Sequence, residues 1–317
     1  MVHEPWIPPR PTAAELVLGA GAGAGGRLLA PIARQVLRSG LRSMFRDPDA
    51  TDDVAPAAPG DAGWFGPDSV TWQVHADASM FVAGIAALAL QSLHPLAIAG
   101  VADHSDFGSD PIGRLRRTAA FVGTTAYGSA SDAAAACAVV RAVHDRVVGR
   151  APDGRPYAAN DPDLLDWVHV TEFGTFAAAN RRYGANPMDA DQLDRYVAEV
   201  ARIAVELGDP TPPRSWAQLD DHLERHRPMT AVGSQARDAW RFLADPPLPA
   251  PVRAAWPVLF RGAMACLPPW ATELWGVSRP TTAERAACRA TVRSLGAVLG
   301  TPPGLVDAKN RALAAAS

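Results

Sequence analysis

Apolar residues recur at helical spacing along most of the chain, and the strict alternation of a half-buried strand is nearly absent. The pattern predicts helices over about 26–45, 79–94, 110–128 and 131–148, and a further one opened by Asp161 with Pro162 at its first helical position. Later helical patterns cover about 189–207, 215–226, 232–244, 250–265 and 281–299, separated by proline-rich joints. No internal repeat is present, and the prediction is an all-α fold. Residues 1–12 are proline-rich and read as extended, and 46–68 is an Asp/Pro/Ala/Gly loop. These boundaries predict an N-terminal extension and linker with one helix over 1–63 and a main domain over 64–317.

One apolar run stands apart. No Asp, Glu, Lys or Arg falls between Asp77 and Asp103, so length alone would allow "SMFVAGIAALALQSLHPLAIAGVA" to span a bilayer. Gln91, Ser92 and the His94-Pro95 pair interrupt it, and its apolar residues are mostly alanine. The expectation is a buried core helix ending near Pro95, with peripheral membrane association left open. The chain has 317 residues and a net charge of −3, which gives no reason to expect nucleic acid. Of its 30 basic residues only Lys309 is a lysine, so an anionic ligand would be met by arginine forks. Cys137, Cys266 and Cys288 are far apart and odd in number, which points to a reducing compartment. The N-terminus lacks a basic segment followed by an apolar one, and the expected location is the cytoplasm.

Three familiar patterns are weak here. Gly21-x-Gly23-x-x-Gly26 has the outline of a dinucleotide fingerprint, but the second strand of that unit is replaced by the 46–68 loop. His222 and His226 lie one helical turn apart in "HLERH", a spacing that can hold a metal, yet Asp220, Asp221, Arg225 and Arg227 around them read as a solvated charged helix. No GxSxG elbow supports a hydrolase.

The informative segment is "VVRAVHDRVVG", 139–149. Ser131 or Asp132 would cap its helix and Gly149 would stop it. On a helical wheel Ala136, Val140, Val143, His144 and Val147 share one face, opposite Arg141 and Asp145, so His144 is expected to point inward. An inward imidazole on an apolar wall is either a core histidine with a partner or a ligand, and a haem iron requires that kind of wall. Arg114 and Thr118 lie one turn apart and could face one pocket, where a guanidinium could fork to a carboxylate or meet bound oxygen; the plainer alternative is a basic helix surface. His169 shares a face with Leu165, Val168, Glu172 and Phe176, with Glu172 in reach as an orienting acceptor; a structural His–Glu pair has the same pattern.

Taken in order, Trp72, Gly84, Gln91, His94-Pro95, "DHSDF" (103–107), "RLRRT" (114–118), "VRAVHDRVVG" (140–149), "PYAANDP" (156–162) and "WVHVT" (167–171) resemble the haem-dependent oxygenase family of bacterial latex-clearing protein (rubber oxygenase) and the MpaB-type endoplasmic-reticulum oxygenase of mycophenolic acid biosynthesis. The resemblance spans roughly 64–300 and is nearest to an actinobacterial branch. It implies a globin-like helical core with additional helices, and a catalytic domain that binds haem b and uses dioxygen to oxidise or cleave a small apolar substrate. It implies His144 as the proximal iron ligand, flanked by Val140 and Val143. It places Arg114 and Thr118 on the distal side, to polarise bound dioxygen or anchor a propionate. Arg114 and Arg117 are further expected to help hold the cofactor, and His169 with Glu172 to serve as a general base.

The chain departs from the latex-clearing branch at two positions. Val148 stands where that branch has an arginine one turn after the proximal histidine. Arg117 stands where it has an iron-capping lysine, and a guanidinium that stays protonated binds iron poorly. Cleavage of rubber is therefore not implied. The competing readings are a haem-binding sensor or carrier without turnover and a haem-free helical interaction protein.

Overall fold

The computed structural model describes residues 5–23, 60–104, 110–248 and 250–314. Among the described residues it is all-α: 68% helical, with 14 α-helices and one two-stranded ribbon. The predicted helix over 26–45 lies outside the described residues. The Gly21 and Gly23 positions of the dinucleotide-like pattern fall in the C-terminal turn of a helix, α1 (Ala13–Gly23), and not after a strand.

The centre of the fold is α7 (Pro162–Tyr183), buried along nearly its whole length. Asp161 caps it by accepting from the Asp163 amide, and Pro162 fills the first position. Small residues let neighbours approach it closely. A methyl group on Gly174 would meet Leu219 at 3.2 Å, so glycine there admits α9 (Trp216–His226). The hydroxyls of Thr171 and Thr175 return to the carbonyls of Trp167 and Thr171, which removes two buried polar groups from the account.

The apolar run becomes α3 (Met80–Gln91), which packs most extensively against α7, and α4 (Pro95–His104). The two are bent by 106° at the Ser92–His94 break, as the His-Pro pair predicts. Among the described residues no single helix is long and apolar enough to cross a membrane, and α3 spends its apolar surface on the core.

Around this pair lie α2 (Val70–His75), α5 (Pro111–Tyr127), α6 (Ala130–His144), α8 (Ala190–Leu207), α10 (Ser234–Ala244), α11 (Ala250–Met264), α12 (Pro269–Leu274), α13 (Thr282–Leu299) and α14 (Pro303–Leu313). Glu199 of α8 accepts from the Thr71 amide and hydroxyl, both at 2.8 Å, and so caps α2 from a distance. The described part of the N-terminal extension is docked on the core. The Trp6 amide donates to Asp220, Trp216 donates to the Trp6 carbonyl, and Arg181 donates to the Pro8 carbonyl. Cys137, Cys266 and Cys288 are buried and unbridged.

One predicted boundary is corrected. The helix carrying His144 starts after Ser129, whose hydroxyl forms a capping box with Asp132, and it ends at His144 instead of running to Gly149. The chain then forms β1 (Val148–Arg150), paired antiparallel with β2 (Pro156–Ala158). The cause is tertiary: Tyr157 lies over Gly149, where a Cβ would meet its hydroxyl at 2.5 Å, and donates to Asp103 of α4 at 2.6 Å.

Candidate functional site

The residues singled out by sequence sit on three helices in succession. Asp110 caps α5 by accepting from the Gly113 amide. Arg114 is half-buried, and burial together with the neighbouring Arg117 charge pulls its guanidinium below its ordinary range. Arg117 is exposed, 3.9 Å from Asp110. Thr118 is also exposed. Between them Arg116 holds its Nε buried without a hydrogen-bond partner.

On α6 the buried stripe is Ala133 and Cys137, continued at half-burial by Val140 and His144. Val143 departs from the predicted inward face, at 44% exposure. It lies to one side of the Ala133–Cys137 line that packs inward, so the apolar wall beside His144 is narrower than the wheel implies. The imidazole is held below its ordinary pKa by burial, against smaller opposing effects of Asn160 and Asp145. Its Nδ1 is buried without a hydrogen-bond partner. Among the described residues no hydrogen bond or ion pair joins Arg114 or Thr118 to His144.

On α7, His169 is buried with its Nε2 unpartnered, its ring 4.8 Å from that of Phe173. Burial lowers its pKa to about 4, with the Asp166 charge opposing and His222 adding to the shift. The expected His169–Glu172 pair is not formed. Glu172 instead bears on Tyr196, whose hydroxyl is 3.0 Å from His75 Nε2, and burial raises the Glu172 carboxyl to about 7.

The carboxylate whose charge acts on His169 is Asp166, which no local sequence pattern singles out. Its Oδ1 is 2.7 Å from His222 Nδ1 and its Oδ2 is 2.8 Å from His226 Nε2, with Arg225 donating at 3.1 Å. Burial alone would raise this carboxyl, but the bonds to His222 and His226 outweigh it and hold Asp166 well below the carboxylate range. "HLERH" is thus not a solvated charged helix, since the His226 side chain is 2% exposed. The two histidines, one turn apart, clasp a carboxylate from the central helix. Among the described residues no group of three or more His, Cys, Asp or Glu side chains is arranged to hold a bare metal ion. An iron carried by a macrocycle needs only one imidazole.

Residues 72–300 match the family model described as ER-bound oxygenase mpaB/B'/Rubber oxygenase, catalytic domain. The match covers well over half of the chain and includes every residue discussed in this section. No curated protein and no solved structure matches.

Proposed function

Because the chain belongs to the mpaB/rubber oxygenase family, we propose that it carries haem b on His144 and uses dioxygen to oxidise or cleave a small apolar substrate. The observation that supports the ligand is the imidazole closing α6, kept neutral by burial and with Nδ1 unpartnered. The neutral ring is the form that binds a metal. Val140 and Val143 offer apolar surface beside it, and the exposed part of Val143 is surface that a flat macrocycle would cover. Half-buried Arg114 suits a propionate or bound oxygen, and Arg117 adds positive charge one turn on. Haem, when bound, supplies the binding and activation of dioxygen.

The remaining roles fall to the chain. Thr118 offers a hydroxyl one turn from the Arg114 guanidinium, so the two would supply a donor and a cation to bound oxygen. His169 is a neutral ring in an apolar setting, with Nε2 open to accept a proton or a hydrogen bond from substrate. Glu172, with a proton affinity near neutrality, is the better matched proton-exchanging group of the two.

The test is the visible spectrum of the purified protein and of His144→Ala and His169→Ala, before and after added haem. A Soret band lost only in His144→Ala supports the assignment. Loss only in His169→Ala moves the ligand to α7, a reading that the unpartnered, buried His169 Nε2 favours. No Soret band in any of the three after haem addition sinks the haem reading. Oxygen uptake with an isoprenoid or lipid substrate then separates an oxygenase from a haem carrier or sensor.

A further inference from the structure

A cavity of about 470 Å³ lies between the C-terminal end of α2 and the C-terminal part of α13, and His75 is the residue discussed above that lines it. Its volume follows from small residues on both walls. Ala76 and Ala78 line one side, and Gly296, Ala297 and Gly300 line the other. A Cβ on Gly296 would meet only the Ala78 methyl group, at 3.4 Å. Close-packed interiors do not leave a volume of this size without a use, and it falls in the range of small-molecule pockets.

The chemistry of the lining restricts the occupant. Two buried residues with polar atoms line it: Tyr183, whose hydroxyl donates to the Gly262 carbonyl, and His75, whose Nε2 is taken by the Tyr196 hydroxyl while Nδ1 has no partner. The ring is neutral, since burial lowers its pKa to about 3. The lining carries one acidic and one basic side chain, Asp77 and Arg293, so it favours neither sign of ligand charge. The two Asp77 oxygens already accept from the amides of Ser79 and Ala185.

We propose that this cavity is a second binding site, which takes a neutral apolar molecule bearing one alcohol or ketone oxygen hydrogen-bonded to His75 Nδ1. None of its lining residues belongs to α5 or α6. His144 closes α6 fourteen residues after its first residue, about 20 Å along the helix from the α5–α6 joint. The inference does not rest on the haem reading.

The experiment uses the full chain with a neutral fluorescent probe, N-phenyl-1-naphthylamine, displaced by decan-1-ol, decan-2-one or decane. The alcohol and ketone should displace the probe at lower concentration than decane. Ala297→Trp, at an exposed position on the wall, should weaken all three by about tenfold or more by filling the volume. His75→Phe should cost the alcohol and ketone about fivefold and leave decane nearly unchanged. Wild-type affinity in Ala297→Trp would overturn the site, and an equal loss of decane and decan-1-ol in His75→Phe would overturn the role of His75. Circular dichroism of both variants shows whether they fold, and Ala297→Trp tests the site if His75→Phe does not. Soret spectra of Ala297→Trp keep the two proposals apart: unchanged haem binding with lost decan-1-ol binding is expected, whereas haem displacing the alcohol would place it in the α5–α6 site and refute a second one.

Discussion

Replacing Asp166 tests whether the α7–α9 clasp holds the fold together. Asp166 accepts three hydrogen bonds, at 2.7, 2.8 and 3.1 Å. The two from histidine are charge-assisted because the Asp166 carboxylate is ionised, and such bonds contribute about 1.5–3 kcal/mol each. The Arg225 side chain is 57% exposed, so its share is discounted to at most about 1 kcal/mol. Asp166→Ala removes all three and leaves the His226 ring buried without its acceptor, at a cost of about 3–5 kcal/mol. Asp166→Asn keeps the shape and one acceptor and should cost about half as much. For a chain of this size Asp166→Ala corresponds to a fall in Tm of roughly 8 °C, read by circular dichroism. The sign of the pH dependence follows from the depressed carboxyl. Its folded pKa lies below its unfolded one, so its contribution is present above about pH 4 and is lost as the pH falls below that. The gap between wild type and Asp166→Ala should therefore narrow in acid. A Tm within about 2 °C of wild type at pH 7 would refute the reasoning and return "HLERH" to a solvated surface.

Other substitutions probe separate joints. Glu199→Ala removes the acceptor of the Thr71 amide and hydroxyl and should destabilise by about 1–2 kcal/mol in denaturant melts, whereas a neutral result would mean that water caps α2 equally well. Gly262→Ala brings a Cβ within 2.1 Å of Cys288 Sγ and should cost about 2–3 kcal/mol. Gly84→Ala, in α3 with nothing within 4 Å of the added methyl group, should stabilise by about 0.5–1 kcal/mol in the same assay. Glu172 has a folded pKa raised to about 7, so its favourable contribution is present in acid and is lost as the pH rises through that value. Glu172→Gln should accordingly gain stability relative to wild type between about pH 5 and pH 8, and a pH-independent difference would show that the carboxyl is not buried as protonated acid.

What the sequence made legible was what neighbouring residues decide. The Asp161-Pro162 start of α7 and the break before Pro95 are local chemistry, and both stand where the pattern puts them. The end of α6 was not legible, because it is set by Tyr157 lying on Gly149 and reaching Asp103, 54 residues away. Nor was α1, where a Gly-Ala tract has little amphipathic signal and the helix instead packs on α13. The Pro303–Leu313 helix has workable helical spacing, but its Pro-Pro entry reads as one more proline-rich joint.

The candidate site divides along the same line. The i,i+4 spacing of His222 and His226 was visible, but their shared acceptor lies 56 and 60 residues earlier, and no local pattern marks it. His169 and Glu172 share a helix face by spacing, yet three residues on a buried helix can look toward different neighbours. Asp166 is committed to α9, and Glu172 bears on Tyr196 of α8. His169 lies between them with an unpartnered nitrogen. A histidine whose neighbouring carboxylate is fully engaged gains little basicity from it, and burial lowers its pKa to about 4. Glu172, raised to about 7 by the same low-polarity interior, holds its proton near neutral pH and can release it there. Burial thus separates two groups that spacing had joined: it makes the histidine a hydrogen-bonding ring and the glutamate the group able to exchange a proton.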